Sequence, residues 1–391
     1  MFKYPAAPYA YLAINNIDQQ RDAFLRGDIE YPSFVYGKRF SKPVLERRKA
    51  KISKDLLRDD LSEEERTYLE RRLQQTEFLL TAAHLQSASR QEAEAILATY
   101  RDQISKLYSE PHAKYAEAIY LILKQAAKGN PAKEGLLGYI EQNTSLKGDA
   151  SHDIRPSAEQ FAYYRTLFAE HAPWLFDRQL CPETRDIQEL ITFALQQIGA
   201  AKHGWRIEVT SGISNVRVSY HDKKIQVGEH LRVRTRKRRL QVVCHEVYGH
   251  VGRNMERTSP TSNIRESEGF AVLLEQLLET KFSTKRALRY LTVAAGWGAL
   301  GRPMDFRETF EIVWRAMVIL SSYSEEVARH KAFHECVRAF RGGRPDVPGA
   351  VFTKDTAYFE GNVAVWNQLE KRILSKEEFV ALLTGRELLE I

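Results

Sequence analysis

Two changes of pattern between Trp205 and Arg253 limit the folds open to this chain. Three short β-rich runs come first: "WRIEV" from Trp205, "VRVSY" from Val216 and "KIQV" from Lys224, the last two joined by His221-Asp222-Lys223, which reads as a hairpin turn. From about Thr235 to Arg253 the period becomes helical, with Leu240, Val243, Cys244, Val247 and Val251 on one apolar stripe. Most of the remaining chain also reads as helix. The expected fold is therefore α+β and mostly helical, with a small sheet immediately before one helix.

The order of segments follows from caps and turn formers. Residues 1–40 are rich in aromatics and turn residues and read as an extended arm rather than a helix. Residues 41–150 read as a helical region packed on a core, with capping boxes at Ser62/Glu65 and Ser89/Glu92 and an apolar stripe through Leu69, Leu73 and Phe78. A turn-rich boundary spans Gly129 to Pro131 and Asn143 to Pro156. Residues 151–391 form the expected second domain. Within it, helices are expected after Ser157 and Pro182, then the strands and the striped helix, a polar link, an apolar helix from about Gly269 and a helix capped by Asp305 and Glu308. A glycine-rich loop at 342–353 and a last pair of helices follow.

Composition narrows the class. Of 391 residues 43% are hydrophobic and 28% charged, as in soluble globular proteins. Three scattered cysteines make no disulfide framework, which suits a reducing cytoplasm. No apolar h-region follows Met1-Phe2-Lys3-Tyr4-Pro5, and the runs at Leu291 to Leu300 and Val313 to Leu320 are too short to span a bilayer, so no membrane partner is expected. There is no phosphate-binding glycine loop and no G-x-S-x-G elbow, which argues against nucleotide and serine-nucleophile chemistry. A net charge of +7 favours acidic partners.

The striped helix carries "CHEVYGH", residues 244–250. His245 and His250 are five apart, and at about 100° per residue they would sit roughly 140° apart on a regular helix, too far to hold one ion. A π-bulge, turning about 80° per residue, brings both rings to one side, and Gly249 removes a side chain where the backbone must distort. A catalytic zinc site takes three protein ligands and leaves a position open. "RESEGFAVLLE" offers Glu266, Glu268 and Glu275 for the third. Glu268 is the first choice and Glu266 the fallback. Glu246, next to a ligand, is placed to act as general base and then as acid toward a leaving amine.

The sequence of strands, H-E-x-x-x-H helix, polar link and Glu-Gly pair resembles the tyrosine carboxypeptidase family of gluzincin-like metallopeptidases, including the bacterial proteins with a "QEGLA" signature. "SEGFA" at 267–271 keeps Glu268-Gly269 and departs at the first and fourth positions. Similarity extends to "YPSFVYGKRF" near the N-terminus, "LYSEP" at 107–111 and "FRGGRPDVPGAVFTKDTAYFEG" at 340–361. The resemblance implies a gluzincin-like metallopeptidase domain, Zn2+ on His245, His250 and Glu268, Glu246 as catalytic base, and removal of a C-terminal residue, tyrosine or another aromatic, from a peptide or protein. A carboxypeptidase must also hold the substrate's terminal carboxylate. Arg341, Arg344 and Lys354 in the glycine-rich segment are candidates, with Arg341 and Lys354 preferred, and Tyr358 is a candidate for steadying the oxyanion. The strand before the zinc helix is expected to accept an extended peptide as an added strand.

Other readings stay open. "HEVYGH" also resembles the motif of dipeptidyl peptidase III, although "ESEGFA" lacks that family's second signature. Six basic residues lie between Arg232 and Arg239, which suits a solvated face, an acidic peptide tail or nucleic acid; without interleaved aromatics, nucleic acid is not the expected partner. The non-enzymatic alternative is a basic regulatory or nucleic-acid-binding protein with a structural metal. His330 and His334, four apart on a helical stretch, have no evident acidic or cysteine partner for a second metal site.

Overall fold

The computed structural model describes residues 11–148, 154–184, 186–211, 213, 215–255, 264–279, 284–387 and 389. In chain order the helices are α1 (Ile17–Arg26), α2 (Lys42–Leu56), α3 (Glu63–Ser87), α4 (Arg90–Tyr108), α5 (Ala113–Ala127), α6 (Pro131–Asn143), α7 (Ala158–His171), α8 (Pro173–Phe176) and α9 (Ile187–Gln197). Strands β1 (Arg206–Thr210), β2 (Val216–Ser219) and β3 (Lys224–Gly228) lead into α10 (Arg236–Val243), which continues as a π-helical segment over Cys244–Val251. Then come α11 (Ile264–Glu279), α12 (Thr284–Trp297), α13 (Phe306–Leu320), α14 (Glu325–Phe340), α15 (Lys354–Lys371) and α16 (Lys376–Leu383).

The chain forms two compact units, one from residues 1–152 with 284–356, the other from 153–283 with 357–391. The first is helical. Capping boxes at Ser62/Glu65, Ser89/Glu92 and Asp305/Glu308 start α3, α4 and α13 by satisfying backbone donors that a helix cannot pair internally. Phe24, Phe306, Phe310 and Phe333 pack edge to face in its core. Phe24 belongs to α1, so the expected extended arm contains a helix. The aromatic and turn content of residues 1–40 hides a ten-residue amphipathic stretch that opens with Asp18 in its first turn and ends at Gly27 in the left-handed conformation. Residues 1–10 of that arm lie outside the described residues, as do 149–153 of the expected boundary and 256–263 of the expected polar link.

The second unit carries the sheet, ordered β1-β3-β2, with β3 parallel to β1 and antiparallel to β2. β2 and β3 form the expected hairpin, whose turn places Lys223 at φ 48°. β3 precedes α10 but is central and paired on both sides, so it has no free edge for a substrate strand. The order follows from chain geometry: β1 reaches β3 in parallel and occupies the edge that the hairpin leaves open. Among the described residues, the free edges belong to β1 and β2.

Ile225 and Val227 of β3, Val243, Cys244, Val247 and Val251 of the striped helix, and Phe270, Leu273, Leu274 and Leu277 of α11 share one apolar core. Burying each aliphatic side chain contributes about 1.5–3 kcal/mol. That burial holds the π-helical segment in place despite its wider turn.

α11 begins at Ile264, five residues before the expected start at Gly269. Gly269 is an interior helical residue, needed because a Cβ there would lie 2.2 Å from the carbonyl carbon of Gly361 on α15. The glycine marks a close crossing of two helices rather than a helix end.

Candidate metal centre

The π-helical segment does what the five-residue spacing requires. The rings of His245 and His250 stand 4.9 Å apart and almost perpendicular, at 87°. Facing them, α11 contributes Glu268, whose Oε2 lies 3.3 Å from Nε2 of His245 and 3.5 Å from Nε2 of His250. One ligand atom from each of the three residues falls within 4.8 Å of the others, the only such cluster among the described residues. The packing of α11 against the π-helical segment depends on Gly249, where a Cβ would meet Ala271 at 2.6 Å. Gly249 thus serves close helix approach.

The far side of each ring is also engaged. Glu275 Oε1 lies 2.7 Å from Nδ1 of His245, at ion-pair distance though off the axis of the ring N–H. Ser267 Oγ lies 3.0 Å from Nδ1 of His250. Metal-bound histidines commonly have the second ring nitrogen oriented by such a partner. Burial disfavours charge on His245, and the carboxylates of Glu268 and Glu275 outweigh it, raising its pKa to about 10. The cluster therefore attracts positive charge. Two imidazole nitrogens and a carboxylate oxygen are also the donor set that suits zinc.

Glu246 adjoins His245 in the same segment. Burial pushes its carboxyl up; the His245 and His250 imidazoles act against this, while Glu268 and Glu275 add to it. Tyr358 of α15 lays its ring nearly parallel to His245, 24° off with centroids 6.2 Å apart. Tyr220, just past β2, stands near Ser267, and burial followed by the Glu268 charge raises its phenol pKa. Sequence reasoning gave no role to Tyr220 or Ser267. The Ser267 position within "SEGFA" was the only available signal, and nothing in the hairpin singles out Tyr220.

The other candidates have the following surroundings. Glu266, the fallback ligand, forms a buried ion pair with Arg253 and accepts from the backbone N–H of Leu389. Arg341, Arg344 and Lys354 belong to the first unit. There Arg341 Nε donates to the carbonyl of Arg338, and Arg344 binds Asp346 in a two-pronged pair. Lys354 opens the helix that carries Tyr358. In the basic run, Lys237 and Arg238 face Glu279 and Glu275 at 3.5 and 3.9 Å, and Arg239 is buried against the carbonyls of Val233 and Arg234. His334 sits 3.5 Å from an Arg21 nitrogen, an environment that repels a cation.

Fold and site together define a mostly helical α+β protein with a buried His-His-Glu cluster suited to a divalent metal. The chain belongs to the microtubule-associated tyrosine carboxypeptidase family, whose family model matches residues 64–390. No curated protein and no solved structure matches it. Among the described residues, no helix is long and apolar enough to cross a membrane.

Proposed function

We propose that the protein is a zinc-dependent, gluzincin-like metallocarboxypeptidase that hydrolyses the C-terminal peptide bond of a peptide or protein, releasing tyrosine or another aromatic residue. The family supplies the activity class. The observation that carries the zinc reading is the convergence of both Nε2 atoms on Glu268 Oε2, with each Nδ1 facing its own partner.

His245, His250 and Glu268 would hold the ion. Bound there, zinc supplies Lewis-acid polarisation of the scissile carbonyl and eases deprotonation of water. Glu246 takes the proton from the attacking water on its carboxylate and returns it to the departing amine. Burial, by raising its carboxyl pKa, makes Glu246 a better proton acceptor than a surface glutamate. The phenol of Tyr358, beside His245, donates to the developing oxyanion. Among the described residues β2 has an unpaired edge, and it leads into Tyr220, which suits it to align an extended peptide. The net charge of +7 favours acidic substrates, and three buried thiols suit a cytoplasmic setting.

Elemental mass spectrometry of the purified protein beside His250→Ala and Glu268→Ala, with assay of peptides ending in tyrosine, tests the proposal. About one zinc per wild-type chain, lost in both variants together with release of the terminal residue, is expected. Peptide hydrolysis that persists in metal-free protein refutes it.

A further inference from the structure

We infer that Glu275 is a positioning residue for the metal centre: its carboxylate sets the His245 ring so that Nε2, rather than Nδ1, is presented to the ion. This rests on the metal reading above. Glu275 and Glu268 are seven residues apart on α11, two turns along one face. Glu268 meets the Nε2 side of His245 and Glu275 the Nδ1 side, so one helix grips both edges of the same ring.

Both carboxylates beside His245 accept rather than donate protons, and Glu275 approaches Nδ1 to 2.7 Å while Glu268 stays 3.3 Å from Nε2, so the charge of Glu275 favours the neutral ring with its proton on Nδ1 and its lone pair on Nε2. The negative charge also makes the ring a stronger donor to a cation. Glu275 is only 9% exposed, and its Oε2 lies 3.9 Å from the Arg238 guanidinium. The carboxylate therefore spans the distance between the ring and the otherwise unexplained basic run, which gives Arg238 a role in holding it. Ser267, the counterpart on His250, has a hydroxyl that both donates and accepts and so does not by itself select a tautomer.

The test is zinc affinity by competition with a chromogenic chelator, together with the visible spectrum of the cobalt-substituted protein, for wild type, Glu275→Gln and Glu275→Ala. Gln keeps the size and one acceptor but not the charge, and remains informative if the alanine variant fails to fold. We expect the zinc Kd to rise about tenfold in Glu275→Gln and about 100-fold in Glu275→Ala, with the cobalt bands displaced. A Kd within about twofold of wild type and an unchanged cobalt spectrum in Glu275→Gln overturns the positioning role while leaving the metal site standing. A wild-type protein that takes up no zinc overturns the metal reading itself.

Discussion

His245 and His250 face one carboxylate oxygen of Glu268 across 3.3 and 3.5 Å, although five residues separate them in sequence. A regular helix would turn one of them away; the π-helical segment Cys244–Val251 keeps both on the side of α11. The local winding of one segment thereby decides whether the cluster exists.

Glu246 is assigned proton transfer and no metal contact. Glu246→Gln should therefore lower kcat for release of a terminal tyrosine by about 100- to 10,000-fold while leaving zinc content at the wild-type level. Steady-state kinetics and metal analysis on one preparation decide it. Loss of zinc in this variant would make Glu246 a ligand instead.

Gly249 admits α11 to within packing distance of the metal helix, and both Cβ and Cα of Ala271 stand in the way of a larger residue. Gly249→Ala should destabilise the protein by about 1–3 kcal/mol in denaturant unfolding and weaken zinc binding in parallel. Wild-type stability with wild-type affinity would show that the two helices do not need this contact.

Arg253 and Glu266 form an ion pair with side-chain exposures of 1% and 3%. Glu266→Ala leaves the guanidinium buried without its carboxylate, at an expected cost of about 3–5 kcal/mol. Zinc stoichiometry in the variant that still folds should stay near one, which separates this structural glutamate from the proposed ligand Glu268.

Asp355 takes two hydrogen bonds from Arg338, one of them 2.6 Å from Nη2 to Oδ1. Burial opposes its ionisation, but Arg338, helped by Arg289 and Arg341, overrides this and holds the carboxyl well below the usual range. With a folded-state pKa below the unfolded one, the stabilisation is complete at neutral pH and is lost as pH falls below about 4 toward the folded value. Asp355→Asn should cost about 3 kcal/mol at pH 7. Unfolding midpoints measured across acid pH should show that deficit shrinking, and a constant deficit would remove the ion pair as its cause.

The mostly helical α+β character, the hairpin ahead of the π-helical segment and the capping boxes are all legible in the sequence, because each rests on local periodicity or turn chemistry, whereas which carboxylate of α11 meets the two histidines depends on packing. Even the π-helical winding was legible, since two histidines five apart can share an ion in no ordinary helix. The helix within the N-terminal arm is hidden in sequence because its ten residues sit among turn formers, and Gly269 reads as a boundary although it lies inside α11. Packing between distant segments settles that Gly269 meets Gly361, that β3 is the central strand, and that Glu266 belongs to Arg253 while Glu275 and Ser267 face the histidine rings. Those assignments depend on which surfaces of distant segments are pressed together. Carboxylates on one helix look alike in sequence until packing gives each a different neighbour.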